Sequence, residues 1–352
     1  MNKPFEGLRV IDFSTTIAGP QCTRMMADMG AEVVKIEAPE GDMMRSRPPQ
    51  RSGHSTAFGQ LNAGKQSVVL DLKSPKAIEA VRSLVSRADI LVENFRPGVM
   101  DRLGLGYDAL SALNPRLIYC SISGYGQTGP SSQLPAYAPV IHAASGFDST
   151  HLSYQEGRER PDYCGIFVAD VLVGIQAFGA VGAALNHRHG TGRGQRIDVS
   201  MLESMLGLML NELQGAQFPV PMPTRPLFGP VQTSDGYVNV AVANEKTFRG
   251  LATAAGRADL ITDPRFEKYM DRRAHWSEFM DIIEDWSRSL TSAECLEQLG
   301  RADVPASPYR TVREALADPQ IAHRGAFTEV RDGGGTFKVL NQPFKLSGAQ
   351  TP

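Results

Sequence analysis

Cysteine is scarce in this sequence of 352 residues, which contains four, and no two of them form a C-x-x-C pair. They stand far apart, as Cys22, Cys120, Cys164 and Cys295. Isolated cysteines argue against a disulfide framework and against a zinc site, so we expect no metal centre. This usage is typical of a reducing compartment and predicts a cytoplasmic protein.

An excess of charge of one sign is also missing. The chain has 36 Lys and Arg residues against 38 Asp and Glu residues, a formal net charge of -2. Because there is no excess of positive charge to bind a polyanion, nucleic acid is not expected as a partner. Residues 1–7 read Met-Asn-Lys-Pro-Phe-Glu-Gly and carry a proline, an acid and a glycine before any apolar run, which is not typical of a signal peptide.

The common nucleotide-binding and nucleophile motifs of α/β enzymes are absent as well. The turn after the first predicted strand reads Ser-Thr-Thr-Ile-Ala-Gly-Pro-Gln, which is neither G-x-G-x-x-G nor a Walker A loop. No serine lies in a G-x-S-x-G elbow. The sequence therefore disfavours a nicotinamide enzyme, a phosphate-loop enzyme and an α/β-hydrolase.

The most informative feature present is an apolar stretch over residues 164–186 whose single carboxylate is Asp170. Moving a carboxylate out of water costs on the order of several kcal/mol unless it is paired, neutralised or used in chemistry, so Asp170 is a candidate catalytic residue. An alternative is that Asp170 lies at a helix start, where N–H groups and the dipole stabilise an anion. The stretch is long enough to cross a membrane, but Asp170, Gln176 and four glycines favour a helix in a globular core.

The first 123 residues alternate strand-like and helix-like segments. We predict strands over 8–13, 31–37, 67–72, 90–95 and 117–123, with helices over 18–30 and 74–88. Residues 41–65 lack periodicity and are rich in Pro, Arg, Ser, Gly and Asn, which predicts a long functional loop. The alternation predicts an α/β fold with a doubly wound, Rossmann-like parallel sheet covered on both faces.

The second half of the chain predicts a smaller inserted domain. After a cationic, glycine-rich stop at 187–195 we expect a strand over 196–200, a helix over 201–215 and a proline-rich linker over 216–230. The inserted α+β domain covers 231–325, with a hairpin over 233–243 and helices over 245–255, 272–289, 292–300 and 312–317. Residues 326–352, with two strands around 332–335, complete the large domain begun by residues 1–215.

Several short segments spread along residues 4–347 form a pattern that can be compared with known families. The segments are Leu8-Arg-Val-Ile-Asp-Phe13 with Ala18-Gly-Pro20, Gly30-Ala-Glu-Val-Val-Lys-Ile-Glu37 with Gly41-Asp42, Leu70-Asp-Leu-Lys73, Val92-Glu-Asn-Phe-Arg-Pro-Gly98 with Asp101-Arg102, and Gly190-Thr-Gly-Arg-Gly-Gln195. Each is modest alone, but their order and spacing resemble the family III CoA-transferases, which include formyl-CoA:oxalate and carnitine CoA-transferases and the α-methylacyl-CoA racemases.

The resemblance implies a function for the lone acid. In this family the nucleophile is an aspartate at the start of the helix that precedes the Thr-Gly-Arg-Gly-Gln turn, the place of Asp170. The implied activity moves CoA from an acyl-CoA thioester to a carboxylic acid, through an aspartyl mixed anhydride and an aspartyl-CoA thioester. The resemblance also implies a homodimer whose two chains interlock like linked rings.

The family's CoA-contacting positions fall at the carboxyl ends of predicted strands, where open α/β sheets bind ligands. By resemblance these positions are Leu70, Lys73, Asn94, Phe95, Arg102 and Leu103, with Tyr137 joining the site. Lys73 and Arg102 would bind the nucleotide phosphates, although either could instead be a solvated surface charge. CoA is thus expected as a substrate, and no permanently bound cofactor is expected.

Other activities stay open at this stage. Racemases of the family pair the aspartate with a histidine, where this chain has Tyr137, and His142 five residues later is not expected to replace it. The alternatives are a racemase or epimerase, an intramolecular CoA-transferase acting within one dicarboxylate, and a non-catalytic CoA-binding subunit. The sequence does not identify the acids, but candidates for holding a second carboxylate are Arg45, Arg47, Arg51 and Arg225.

Overall fold

The computed structural model describes residues 2–155, 157–219 and 228–351. Within them the chain divides into two compact units. The larger unit comprises residues 2–152, 158–219 and 322–351, and the smaller comprises 153–155, 157 and 228–321. Residues 220–227 of the predicted linker, including Arg225, lie outside the described residues, and residues 228–230 belong to a strand.

Strands and helices alternate through the first part of the larger unit. The strands are β1 (Arg9–Asp12), β2 (Glu32–Glu37), β3 (Gln50–Arg51), β4 (His54–Ser55), β5 (Gln66–Val69), β6 (Ile90–Glu93), β7 (Ile118–Ser123) and β8 (Arg196–Ser200). The helices are α1 (Ala18–Asp28), α2 (Thr56–Asn62), α3 (Pro75–Val85), α4 (Val99–Arg102), α5 (Tyr107–Leu113), α6 (Ala138–Ala144), α7 (Phe147–Ser153), α8 (Val168–Thr191), α9 (Met201–Leu208) and α10 (Leu210–Gly215).

Six of these strands form one parallel sheet in the order β5-β2-β1-β6-β7-β8. The chain starts in the middle, moves to one edge and then crosses back to build the other half. Sheets of this kind bind ligands at the point where the strand order reverses. In this chain that point is the crevice beyond the carboxyl ends of β1 and β6.

Both faces of the sheet are covered, as the alternation of segments predicted. Successive side chains of a strand point to opposite faces, so Val10 packs in the cluster that contains α1 and α8 residues. Its neighbour Ile11 packs on the other face, with Val81 and Val85 of α3. The α/β fold with a parallel central sheet is therefore confirmed.

Helix α8 forms the centre of the first face. Its residues Ala169, Val173, Ala177 and Val181 are fully buried, and α1 is its main neighbour. The helix ends where the cationic, glycine-rich stop was predicted, because Gly192 takes the left-handed conformation at φ 73. By length and composition α8 is able to span a membrane. Within its most apolar stretch of 18 residues, 33% of the residues are buried inside the protein.

Two predictions for the larger unit are wrong. Residues 41–65 are not a structureless loop, because they contain a 3₁₀ turn over Met43–Ser46, the short β3–β4 hairpin and helix α2. The predicted helix over 201–215 is broken at Met209 into α9 and α10, since the backbone of Met209 leaves the helical region at φ -94 and ψ 68.

The smaller unit packs helices on a three-stranded antiparallel sheet of order β11-β10-β9. Its strands are β9 (Phe228–Gln232), β10 (Tyr237–Ala241) and β11 (Ala306–Pro308). Its helices are α11 (Glu245–Ala254), α12 (Tyr269–Ala274), α13 (Trp276–Ser287), α14 (Ser292–Arg301) and α15 (Val312–Leu316), with α16 (Pro319–His323) at the return to the larger unit. The strands β12 (Phe327–Asp332) and β13 (Gly335–Leu340) then pair as an antiparallel hairpin.

The predicted hairpin turns at Asp235-Gly236, but its first strand lies upstream of the predicted one. Thr233 N–H donates to the Gly236 carbonyl at 2.9 Å and closes the turn between β9 and β10. The predicted helix over 272–289 is two helices, because the backbone departs from helical geometry at His275.

Candidate active site

Two cavities of the larger unit lie at the carboxyl ends of β1 and β6, where the strand order reverses. The first, of about 290 Å³, is lined by Asp170 together with Thr15, Thr16, Asn94, Arg96 and Tyr137 among its polar residues. The second, of about 350 Å³, is lined by Leu70, Lys73, Phe95 and Leu103 among others. Thr15 and Phe95 line both cavities, so the two are neighbours.

Asp170 lies in the first turn of α8, whose cap residue Phe167 offers no side-chain hydrogen bond. Among the described residues the Asp170 carboxylate has neither a hydrogen bond nor an ion pair. Burial raises the pKa of Asp170 to about 6, because desolvation disfavours the charged form. At neutral pH the group is therefore mainly an unpaired, partly desolvated carboxylate at a cavity wall, which is the state required of a nucleophile.

The turn after β1 forms the wall of the Asp170 cavity at the switch point. Thr16 has a φ of 69, an unusual conformation for a β-branched residue. Asn94 holds the neighbouring Thr15 from both sides, since its Oδ1 accepts from the Thr15 N–H at 2.8 Å and its Nδ2 donates to the Thr15 carbonyl at 2.9 Å. Backbone strain that the surroundings maintain in this way is frequent at functional sites.

A buried charge network supports the same turn from below. Lys65 Nζ lies 3.0 Å from Asp12 Oδ2, and both side chains are almost fully buried. Lys35 Nζ lies 3.0 Å from Asp42 Oδ2 and donates to the Ser14 carbonyl at 2.6 Å. The opposite charges and hydrogen bonds compensate the cost of burial. The pKa of Asp12 is lowered, because the attraction of Lys65 and Lys35 and the hydrogen bonds outweigh desolvation.

The predicted site residues fall into two groups. Most of them line the two cavities: Asp170, Asn94 and Tyr137 the first, Leu70, Lys73 and Leu103 the second, with Phe95 shared. Arg102 lines neither cavity and lies at the end of α4, where its guanidinium stays close to Gly98. The structure therefore brings all the predicted site residues except Arg102 to the crevice.

The arginines proposed for a second carboxylate differ in their availability. Arg45 is committed to Glu37, to which Nη2 and Nε both donate at 2.7 Å. Arg51 is committed to Asp332 at 3.0 Å and to neighbouring carbonyl groups. Arg47 is exposed and has no ion pair within the described ranges.

Sequence reasoning missed Arg96, which lines the Asp170 cavity. Like Arg47, Arg96 has no ion pair in the part of the chain that the structure describes. Its position directly after Asn94 and Phe95 was the available signal. In the described ranges, no three His, Cys, Asp or Glu side chains cluster as metal ligands.

Known proteins match this chain along nearly its whole length. The model of CoA-transferase family III matches residues 5–352. A succinate–glutarate CoA-transferase of Agrobacterium fabrum is 35% identical over 365 residues, covering 99% of this chain and 88% of the relative. An acetyl-CoA:oxalate CoA-transferase of Acetobacter aceti is 35% identical, over 99% of this chain and 90% of the relative. The human succinyl-CoA:glutarate CoA-transferase is 30% identical, over 99% and 83%.

Solved structures agree with the fold. A CAIB/BAIF family protein from Brucella suis superposes with a TM-score of 0.84 at 32% identity, covering 100% of this chain and 95% of that one. The protein Rv3272 from Mycobacterium tuberculosis superposes with a TM-score of 0.87 at 30% identity, covering 98% of this chain and 94% of that one. The chain therefore belongs to CoA-transferase family III, and it is a CoA-transferase.

Proposed function

We propose that the chain moves CoA between an acyl-CoA and a carboxylic acid by covalent catalysis at Asp170. The Asp170 carboxylate attacks the donor thioester carbonyl, which forms a mixed anhydride and expels CoA thiolate. The thiolate then attacks the Asp170 carbonyl, which gives an aspartyl-CoA thioester and releases the donor acid with one oxygen from Asp170. The same two steps then occur in reverse with the acceptor acid. The acceptor leaves one of its oxygens on Asp170 and departs as the new acyl-CoA.

The observation that carries this proposal is the unpaired carboxylate of Asp170 at the wall of a cavity. Burial raises the pKa of this carboxyl group to about 6, which still leaves most of it ionised at pH 7. A salt bridge would lower the nucleophilicity of the carboxylate and would have to break in each turnover. The proposed route also requires that water be kept from the anhydride, which would otherwise hydrolyse.

The neighbouring cavity provides a place for the nucleotide end of CoA. Leu70, Phe95 and Leu103 provide apolar surface at the ends of β5 and β6, and Lys73 provides a positive charge at the rim. Because Phe95 and Thr15 line both cavities, a CoA molecule can lie with its nucleotide in one and its thioester beside Asp170 in the other. Arg102 lies beyond the lining and is proposed as a phosphate contact from the rim.

For the acid substrate we propose a small dicarboxylate. Several relatives carry dicarboxylic acids in their names, including succinate, glutarate and oxalate. A dicarboxylate leaves one carboxylate free while the other reacts, and a bidentate guanidinium suits that group. Arg96 at the Asp170 cavity is the first choice for this role, and Arg47 is the second.

We further propose a cytoplasmic homodimer in which the exposed face of α8 lies at the subunit contact. Val171 and Ile175 on this face are 40% and 45% exposed, although they belong to a long apolar helix. Gly179 and Gly182 face open space, where an added Cβ would meet no atom within 4 Å. Such small residues permit close approach of a second helix. An interlocked arrangement is what the family resemblance implies.

The proposal is tested by trapping the enzyme-bound intermediate. The chain is incubated with succinyl-CoA, quenched with hydroxylamine and digested, and the peptide that contains Asp170 is weighed by mass spectrometry. We expect a hydroxamate on Asp170 in the wild type and none in Asp170→Asn. Turnover without an adduct, or an adduct that persists in Asp170→Asn, would contradict covalent catalysis. Deuterium uptake at the α-carbon without an adduct would indicate a racemase, and no reaction at all would indicate a CoA-binding subunit.

A further inference from the structure

The side chain of His142 contacts the helix that carries Asp170. His142 lies in the last turn of α6 and is 1% exposed. Its Nε2 accepts a hydrogen bond from the backbone N–H of Ala169 at 3.1 Å. Ala169 is the residue directly before Asp170. The mechanism above makes no use of His142, and no pattern in the sequence predicts a role for it.

The contact supplies a hydrogen-bond acceptor that the start of α8 otherwise lacks. The first N–H groups of a helix have no partner inside the helix and are usually satisfied by a capping side chain. Phe167, the cap residue of α8, has an apolar side chain and makes no such bond. The imidazole of His142 thus takes the place of a capping group, although it comes from a different helix.

The hydrogen bond fixes the protonation state of the imidazole. Nε2 can accept only when it carries no proton, so the hydrogen of the neutral ring is on Nδ1. Nδ1 itself has no hydrogen-bond partner among the described residues. Burial lowers the pKa of His142, which also favours the neutral ring. A protonated ring would direct an N–H at the N–H of Ala169 and place a positive charge at the positive end of the α8 dipole.

Helix α6 thereby connects two parts of the cavity wall. Tyr137, the cap residue of α6, lines the Asp170 cavity, and His142 binds the backbone beside Asp170 from the other end of the same short helix. We propose that His142 is a positioning residue, whose neutral imidazole holds the first turn of α8 so that the Asp170 carboxylate meets the thioester carbonyl at a productive angle. This inference rests on the proposed function of Asp170 as nucleophile.

His142 acts through the backbone and not on the substrate. Its ring is not among the residues that line the Asp170 cavity, and its Nε2 is occupied by the Ala169 N–H. Loss of the bond should therefore change the rate of attack more than the affinity for acyl-CoA. Displacing a reacting group by about 1 Å can cost about 100-fold in rate, so a looser first turn should cost roughly 10-fold to 100-fold.

A matched pair of substitutions tests the inference. In His142→Gln the amide oxygen reaches the position of Nε2 and can still accept from Ala169, whereas in His142→Asn the acceptor is one methylene too short. We expect kcat and the single-turnover rate of adduct formation at Asp170 to stay within about 3-fold of wild type in His142→Gln and to fall roughly 10-fold or more in His142→Asn. The KM for succinyl-CoA should stay within about 2-fold in both variants, since neither touches substrate.

Three outcomes would overturn the inference. These are a His142→Asn variant with the wild-type rate of adduct formation, a His142→Gln variant as slow as His142→Asn, and a loss that appears in KM alone. His142→Leu, which fills the space without an acceptor, repeats the His142→Asn measurement if that variant fails to fold, as judged by its thermal unfolding. A wild-type enzyme that turns over without any adduct would contradict the proposed function itself, which distinguishes the two failures.

Discussion

Asp170 is subject to two opposing effects. As a residue in the first turn of α8 it gains about 0.3–1 kcal/mol of stabilisation of its charge from the helix dipole. Burial raises its pKa from 3.8 to about 6, which corresponds to about 3 kcal/mol against the charged form. Desolvation is the larger effect. The helix-start alternative that the sequence left open therefore does not account for the state of this carboxylate.

The buried charge should make the folded protein less stable at neutral pH. The native pKa of Asp170 lies above the unfolded value, so stability falls as the pH rises from about 4 to about 6 and stays lower above that; below about pH 4 both states are protonated and there is no effect. We expect Asp170→Asn to raise the free energy of unfolding by about 1–2 kcal/mol at pH 7, after allowance for partial exposure of the side chain. The gain should disappear as the pH falls to about 4. Urea unfolding across this pH range measures it.

Asp108 provides the matched control for this measurement. It is an exposed acid in the first turn of α5, so Asp108→Asn removes a favourable dipole interaction without relieving any burial. We expect it to lower stability by a few tenths of a kcal/mol at pH 7. Equal stability changes in the two variants would contradict the burial of charge at Asp170.

The sequence made some residues of the site predictable and others not. Asp170 stands out because it is the lone carboxylate of an apolar stretch, and this can be read without a structure. Arg96 and the Thr15–Asn94 pair depend on which strand ends meet. Asn94 and Thr15 are 79 positions apart, and their contact follows from the adjacency of β1 and β6. No local pattern contains that information.

At the scale of elements, predictions held where periodicity was strong. Strand β8 begins and ends at the predicted residues, and β1, β2 and β7 differ from their predicted ranges by one residue at one or both ends. Helix α2 was missed because Gly59 interrupts its pattern. The ring of Phe337 in β13 lies where a Cβ of residue 59 would be, at 2.3 Å, so the glycine is required by a segment that is 278 positions later in the chain. A local reading of residues 41–65 could not show this.

The turn between β1 and α1 illustrates how elements combine to build the site. Asp12 ends β1, Lys35 comes from β2 and Lys65 lies just before β5, so two parallel strands and the residue preceding a third contribute charges to one buried network. The network fixes the backbone that carries Thr15 and Thr16 to the cavity. Rigid support of this kind positions reacting groups better than a mobile loop would. The elements of the sheet thus supply both the crevice and its supporting charges.

At the scale of the whole molecule, the strand order determines where the chemistry can occur. The reversal between β1 and β6 opens a crevice at one edge of the sheet, and the two cavities that contain most of the predicted site residues lie there. Asp170 reaches the crevice from α8, which covers one face of the sheet. The order β5-β2-β1-β6-β7-β8 is a long-range property that alternation of strands and helices suggests but does not specify.

The exposed face of α8 predicts the oligomeric state. Ile175→Asp places a charge on this face and should prevent assembly of the proposed dimer, because burying an unpaired carboxylate at an interface costs on the order of several kcal/mol. Leu84→Asp is the control, since Leu84 is similarly exposed at 39% but lies on α3. Sedimentation velocity should show a dimer for the wild type and for Leu84→Asp. A wild-type monomer, or a dimeric Ile175→Asp, would contradict the assignment of this face.

The central claim is that Asp170 exchanges one of its oxygens with the acids in every turnover. The most direct test supplies an acceptor dicarboxylate labelled with ¹⁸O in unlabelled water, allows several turnovers and weighs the peptide that contains Asp170. The account predicts that label enters this peptide during turnover and later leaves on the released donor acid. Full turnover with an unlabelled Asp170 peptide would contradict it.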